Sequence, residues 1–311
     1  MLVKLINLFF SKIFKLPKNS VIIIYQGGLG NQLFQYFLGQ ELEKLYKKNV
    51  YYFDFRENYK ISHNSNIENL FELNLRKYNY GKFNLFLRFI FLSPKVLKFK
   101  KFIFQKYKLK IFSNYYFDLI DDQVDLKKIC IKENIIIFFG TWHNLINKYK
   151  YPFDLVDLKF KKNIYLKNSF NFKEKFISLH VRRGDYCNSK SARFHGNLDV
   201  NYYLKGTSFL RNKLGNLPVL IFSDDFEWIK NNLSYKIPNS FIFSSPKSSP
   251  EIDFYIMTKG NYFILSNSTF AWLSAFLSEK KDKFIVIPKF WFKNQKISSS
   301  YIYKDWKYKV I

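Results

Sequence analysis

Cysteine is scarce: Cys130 and Cys187 are the two thiols in 311 residues. Two are too few for a disulfide framework, and neither has partners at zinc-ligand spacing. Both read as ordinary buried thiols of a chain kept in a reducing compartment. Uncharged apolar runs are short, none reaching the roughly 18 residues that a membrane-spanning helix needs. A cleavable leader is not expected, because Lys4, Lys12 and Lys15 interrupt the apolar start. Acidic residues are outnumbered, 24 against 51 Lys plus Arg, for a formal charge of +27. That field attracts phosphorylated ligands, anionic lipid or nucleic acid. The lysines are scattered rather than striped, however, and Lys, Asn, Ile, Phe and Tyr abound as a set. Charge alone therefore names no partner, and a nucleic-acid interface is not assigned.

What is abundant is apolar and aromatic: 48% hydrophobic and 21% aromatic residues exclude a disordered chain. The length suits two domains. Residues 1–20 (MLVKLINLFFSKIFKLPKNS) drawn as a helix place Lys4, Asn7, Ser11, Lys15 and Lys18 on one stripe. This is either an amphipathic helix at a membrane interface or a helix docked on its own domain. Residues 82–112 mix Phe and Leu with Lys and read as two core helices broken at Pro94, or as a second membrane-facing patch.

Val21–Tyr25 is a short β-branched run; a glycine-rich turn and an apolar pattern of helical spacing (Leu33, Phe34, Phe37, Leu38, Leu42, Leu45) follow, then a second strand, NVYYFDF. Residues 60–150 read as mostly helical apart from the strand IIIFF before Gly140. In the second half, the runs FISLHV, PVLIF, SFIF, YFIL and FIVI alternate with helical segments, which predicts a largely parallel α/β sheet. The boundary falls in the charged stretch 155–172, giving an N-terminal α/β domain over 21–165 and a C-terminal one over 166–311. No internal repeat is evident.

Polar clusters follow the carboxyl ends of strands, the edge at which open α/β sheets bind ligands. Gly27, Gly28 and Gly30 with Asn31 let a backbone approach a ligand ahead of a helix N-terminus. A dinucleotide fingerprint would need another glycine where Leu33 stands, and no lysine-bearing phosphate loop exists. His180-Val181-Arg182-Arg183-Gly184-Asp185 puts two guanidinium forks at a strand end, suited to bidentate contact with phosphate oxygens. His180 lies just inside that strand, where a structural role and a ligand contact both fit. Asp224 and Asp225 end another strand; they suit a base edge or ribose, a cation, or, with Ser223 or Asp224, a helix cap. No third ligand accompanies them, so no metal is assigned. Ser266, Asn267, Ser268 and Thr269 open a further helix as a phosphate nest or a capping box. Cationic forks and helix N-termini around a nucleoside diphosphate are most useful when the diphosphate is a leaving group. That chemistry is transfer of a sugar from a nucleotide sugar.

The segments GGLGNQLFQY (27–36), HVRRGDY (180–186), FSDD (222–225) and SNSTFAWLSAFL (266–277) resemble the motif set of the bacterial α-1,2-fucosyltransferases, glycosyltransferase family 11. The resemblance covers residues 21–311, and its HxRRxD element is shared with α-1,6- and protein O-fucosyltransferases. It implies a GT-B-like fold of two Rossmann-like domains with largely parallel sheets, the donor held mainly by the C-terminal one. It implies an inverting transferase using GDP-β-L-fucose, making an α-1,2 link to a galactose-terminated oligosaccharide of an O-antigen or capsule, without cofactor or required metal. In that family Arg182 would be the main diphosphate contact with Arg183 beside it. His180 and an acid of the Asp224–Asp225 pair would read guanine or ribose; Ser266, Asn267, Ser268 and Thr269 would take phosphate oxygens; Gly28, Gly30 and Asn31 would close over them. Asp185 and His195 are the candidate bases, and a weakly basic route that relies on departure of the leaving group is the alternative. Leu273 departs from the family, standing where a second tryptophan is common. The expected location is the cytoplasm, with peripheral contact at the inner membrane face if the acceptor is lipid-linked. Another GDP-sugar or linkage, or a basic membrane- or nucleic-acid-binding protein, are the alternatives.

Overall fold

The computed structural model describes residues 19–54, 65–78, 109–113, 126, 135–142, 158–166, 174–187, 189–246, 248–293, 295–297 and 299–311. Residues 1–18 and most of 79–134, with Cys130 and the greater part of the greasy stretch at 82–112, lie outside them.

A β-branched run without polar alternation suits a strand covered on both faces. Ser20–Tyr25 is such a strand, β1, and all of it is buried. It lies parallel to β2 (Asn49–Asp54), pairing Ile23 with Tyr52, and on its other side to β4 (Ile135–Phe139), pairing Ile23 with Phe138. Beyond β4 lies β3 (Leu109–Ser113), completing a parallel sheet in the order β2-β1-β4-β3. β3 corrects the helical reading of this stretch: five residues pair with the Ile-rich β4 along their whole length, and that pairing overrides local pattern. Helix α1 (Leu29–Tyr46) joins β1 to β2. It begins at Leu29, so Gly30, Asn31 and Gln32 stand inside its first turn rather than in a preceding loop. Two short helices, α2 (Ile67–Leu70) and α3 (Lys162–Leu166), complete the described part of this half.

The second sheet contains β5 (Ile177–Val181), β6 (Val219–Ser223), β7 (Ser240–Ile242), β8 (Tyr262–Ile264) and β9 (Phe284–Ile287). A small antiparallel hairpin, β10 (Phe290–Phe292) and β11 (Gln295–Lys296), precedes the last strand, β12 (Lys307–Val310). The six sheet strands are all parallel in the order β7-β6-β5-β8-β9-β12. This is the doubly wound arrangement, whose winding reverses between β5 and β8 and leaves a crevice at their carboxyl ends. The helices of this half are α4 (Ser189–Phe194), α5 (Val200–Leu214), α6 (Phe226–Asn232), α7 (Pro250–Thr258) and α8 (Thr269–Leu277), with a 3-10 turn over Gly184–Cys187. Cys187 is exposed on that turn, which corrects the expectation of a buried thiol.

Alternate residues of the second sheet feed two cores. Leu179, Ile221, Ile264 and Val286 pack against α5 and α6. Phe222, Phe263 and Ile285 face a cluster that also holds Val21, Ile23, Phe34 and Leu38 of the first half, with Phe254, Trp272 and Trp306 of the second. Both halves thus share one apolar cluster. Its centre is the crossing of α1 and α8, where the Phe34 and Trp272 rings lie 5.5 Å apart. Among the described residues no helix is long and apolar enough to cross a membrane.

Candidate active site

The crossing of α1 and α8 sets the site. At Gly30 an added Cβ would lie 2.5 Å from the Thr269 carbonyl carbon and 2.6 Å from the Phe270 nitrogen, so only glycine lets the two helix N-termini come this close. Thr269 Oγ1 donates to Asn31 Oδ1 at 2.8 Å across the same contact. Two glutamines of α1 fix the loops around it. Gln35 accepts from the Gln26 backbone at 3.0 Å and donates to Gly140 O at 2.9 Å, joining the ends of β1 and β4. Gln32 donates to Gly27 O at 2.7 Å and Ser65 O at 2.9 Å and accepts from Ile67 N at 3.1 Å. The apolar pattern of α1 gives no sign of this, since on the helical wheel Gln32 falls nearly opposite the centre of the apolar positions and Gln35 at their edge.

Across the β5–β8 crevice, His180 Nδ1 lies 2.7 Å from Ser266 Oγ. Burial takes the imidazole down to about 3, against the pull of Asp224, with Arg182 adding to the burial effect, so His180 is neutral near pH 7. One turn on, Arg182 Nη2 donates to Asp185 Oδ1 at 2.6 Å and Nη1 meets Asp224 Oδ2 at 2.8 Å. Burial opposes the guanidinium charge, but Asp224 and then Asp185 outweigh it and raise its affinity for the proton. Its side chain is 19% exposed, and the two carboxylates engage two of the five N–H donors an arginine owns. Arg183 turns away from this centre. Its Nε donates to Asp225 Oδ2 at 3.0 Å and its guanidinium lies 4.2 Å from the Trp228 ring centroid on α6.

Asp225, rather than Asp224 or Ser223, caps α6, its Oδ1 accepting from Trp228 N at 3.1 Å. Ser268 caps α8 by accepting from Phe270 N at 3.3 Å. Asn267 turns inward, its Nδ2 donating to His195 O at 3.1 Å, Gly196 O at 3.3 Å and Trp291 O at 3.1 Å. It ties the end of β8 to the His195 loop and the β10 strand. Tyr186 continues the tie: its hydroxyl donates to Asn267 O at 3.1 Å and its ring stacks on His195 at 4.2 Å. Burial lowers His195 to about 4, with Asp185 opposing and Arg182 assisting, so this imidazole too is neutral near pH 7. Among the described residues no three His, Cys, Asp or Glu side chains converge as metal ligands.

The structure thus gathers Arg182, Asp185, His180, His195, Asp224 and Ser266 at the carboxyl end of β5, beside the N-termini of α1 and α8. A basic fork at a doubly wound switch point is a frame for an anionic ligand, and sequence comparison narrows it. The model of glycosyl transferase family 11 matches residues 20–310. The chain belongs to glycosyltransferase family 11.

Relatives of this family 11 chain include the O-antigen biosynthesis glycosyltransferase WbnK of Escherichia coli, 28% identical over 303 residues, covering 86% of this chain and 93% of the relative. An α-1,2-colitosyltransferase of Escherichia coli is 27% identical over 302 residues, covering 90% and 94%. Human galactoside α-(1,2)-fucosyltransferase 1 matches over a shorter stretch, 29% identical over 105 residues, or 33% of this chain and 29% of that one. The fold is that of fucosyltransferases with the GT-B architecture. NodZ from Bradyrhizobium superposes with a TM-score of 0.51 at 14% identity, covering 84% of this chain and 93% of NodZ. A variant of Arabidopsis thaliana FUT1 in complex with GDP gives 0.52 at 13% identity, covering 91% and 74%. In this glycosyltransferase two site-building residues carry no local sequence signal. Trp228 and Trp291 meet their partners only through the fold.

Proposed function

We propose that this family 11 glycosyltransferase moves L-fucose from GDP-β-L-fucose to a galactose-type hydroxyl, with inversion and an α-1,2 link, in the synthesis of a surface glycan such as an O-antigen or capsule. The observation that carries this reading is the Arg182 guanidinium, set between the Asp185 and Asp224 carboxylates at the end of β5, next to two helix N-termini. As the bond from the sugar to the diphosphate breaks, negative charge builds on the phosphate oxygens. The positive charge of Arg182 and the N–H groups at the starts of α1 and α8 meet that charge without reorganising. Gly28 leaves room for it: an added Cβ there would touch nothing within 4 Å, so the space is open to a ligand.

Proton removal from the acceptor hydroxyl falls to Asp185 or His195. Both stand beside Arg182, and His195 is held by stacking on Tyr186. Replacing each in turn (Asp185→Asn, His195→Gln) and following the acidic limb of the rate profile separates them, because only loss of the true base removes that limb. No metal takes part in this mechanism, so a chelator should leave the rate within about twofold.

A second reading, transfer of a colitosyl group by the same machinery, is favoured by the likeness to the α-1,2-colitosyltransferase over nine-tenths of the chain. The deciding experiment is incubation with a panel of GDP-sugars and a galactose-terminated acceptor, the product read by mass and linkage. Fucosyl transfer to O2 is the expected outcome. A product from another donor, or another linkage, overturns the proposal.

A further inference from the structure

The acid pair after β6 has four carboxylate oxygens, and the structure gives each one a donor. Asp225 Oδ1 receives Trp228 N and its Oδ2 receives Arg183 Nε, at 3.1 and 3.0 Å. Asp224 Oδ1 receives the Arg183 backbone N–H at 2.9 Å and its Oδ2 receives Arg182 Nη1 at 2.8 Å. Gly184 packs onto the same carboxylate, for an added Cβ there would lie 2.5 Å from Asp224 Oδ2. One side chain therefore grips the loop 182–184 at three successive residues: a guanidinium, a backbone amide and a glycine surface. Pairing on the other side comes from Asp185, so Arg182 is held from both flanks.

We infer that Asp224 is a positioning residue for Arg182 and does not read the guanine or ribose of the donor; the inference rests on the nucleotide-sugar reading above. A long arginine at a strand end has several rotamers of similar energy, and a charge-stabilising donor is effective only when it is already in place. Asp224 removes that freedom on one flank by ion-pairing the guanidinium terminus and on the backbone by fixing the turn that launches it. Its location explains the twin-acid motif without a metal or a base-edge contact: the first acid serves Arg182, while the second caps α6 and anchors Arg183.

The test is calorimetric titration of the full chain with GDP and, separately, with inorganic pyrophosphate, which has neither base nor ribose. Asp224→Ala should weaken both ligands by a similar factor, about tenfold or more. Asp224→Asn keeps an acceptor for the Arg183 amide and should recover part of the loss. The melting midpoint of Asp224→Asn and the KM for the acceptor should stay at wild-type values, which a general collapse of the loop would not allow. If Asp224→Ala loses GDP but keeps pyrophosphate, the residue reads the nucleoside and the inference fails alone. If the wild-type chain takes up neither GDP nor pyrophosphate, the functional reading fails and takes the inference with it.

Discussion

At the residue scale the two arginines of the HVRRGDY segment are chemically alike and structurally opposite. Arg182 is set at the crevice between Asp185 and Asp224, while Arg183 turns to Asp225 and the Trp228 ring. Arg182→Lys leaves a single ammonium where a planar fork spans Asp185 and Asp224, so one carboxylate loses its partner and faces the incoming diphosphate. Transfer should fall by about 100-fold or more in Arg182→Lys and further in Arg182→Ala, in line with loss of a charge-stabilising donor, with the melting midpoint little changed. Arg183→Ala should behave differently, lowering stability by about 1 kcal/mol through the lost ring contact and ion pair and reducing turnover far less. Initial rates and thermal melts of the three variants check both statements. Equal losses of turnover at the two positions would contradict the division of labour. Sequence alone could propose a forked cationic site here, because two arginines after a buried strand have few other uses. It could not say which arginine stands at the crevice, since Asp225 and Trp228, which draw Arg183 aside, stand 42 and 45 residues from it in the chain.

At the scale of elements, the strands were legible wherever apolar residues run without charge, as in VIIIY, IIIFF and FIVI, and the parallel arrangement followed from their alternation with helices. Two strands of the parallel sheets were hidden for opposite reasons. β3 sits at the end of a stretch rich in Phe, Leu and Lys whose composition suits either state. β12, KYKV, is an exposed edge strand with a lysine at every second position, and it resembles a solvated tail until it pairs with β9. The α1–α8 contact makes a prediction for helix packing. Gly30→Ala gains about 1 kcal/mol of helix propensity but sets a methyl against the Thr269–Phe270 backbone, which cannot move aside without shifting α8. The clash should win, with a net loss of about 1 to 2 kcal/mol and weaker GDP binding as the helix starts separate. Gly28→Ala meets nothing in the protein and has an ordinary φ of −74°. It should therefore melt like wild type while still weakening GDP, because its methyl occupies the space left for the ligand. Urea denaturation and GDP titration of the pair distinguish a packing glycine from a ligand-clearance glycine.

For the whole molecule, the buried polar site makes folding sensitive to acid. Burial holds His180 at about 3 and His195 at about 4, against 6.5 for an unperturbed imidazole. As pH falls below 6.5 the unfolded chain takes up protons that the folded chain refuses, so each histidine withdraws stability down to its folded value. Asp253 acts in the opposite sense. Burial raises its carboxyl from 3.8 to about 6, so the folded chain holds a proton that the unfolded chain releases, and stability is gained as pH falls through that window. Among the described residues, two histidines against one carboxyl leave about one uncompensated proton between pH 6 and 4, a contribution of about 1.4 kcal/mol lost per pH unit. His180→Gln removes one histidine while retaining a group able to pair with Ser266, and should flatten the decline in that interval even though stability at pH 7 is itself lower. Urea midpoints of both proteins at pH 7, 6 and 5 measure the two slopes. A variant slope as steep as the wild type's would mean that the folded chain protonates His180 as readily as the unfolded chain does, and that burial does not hold its imidazole neutral.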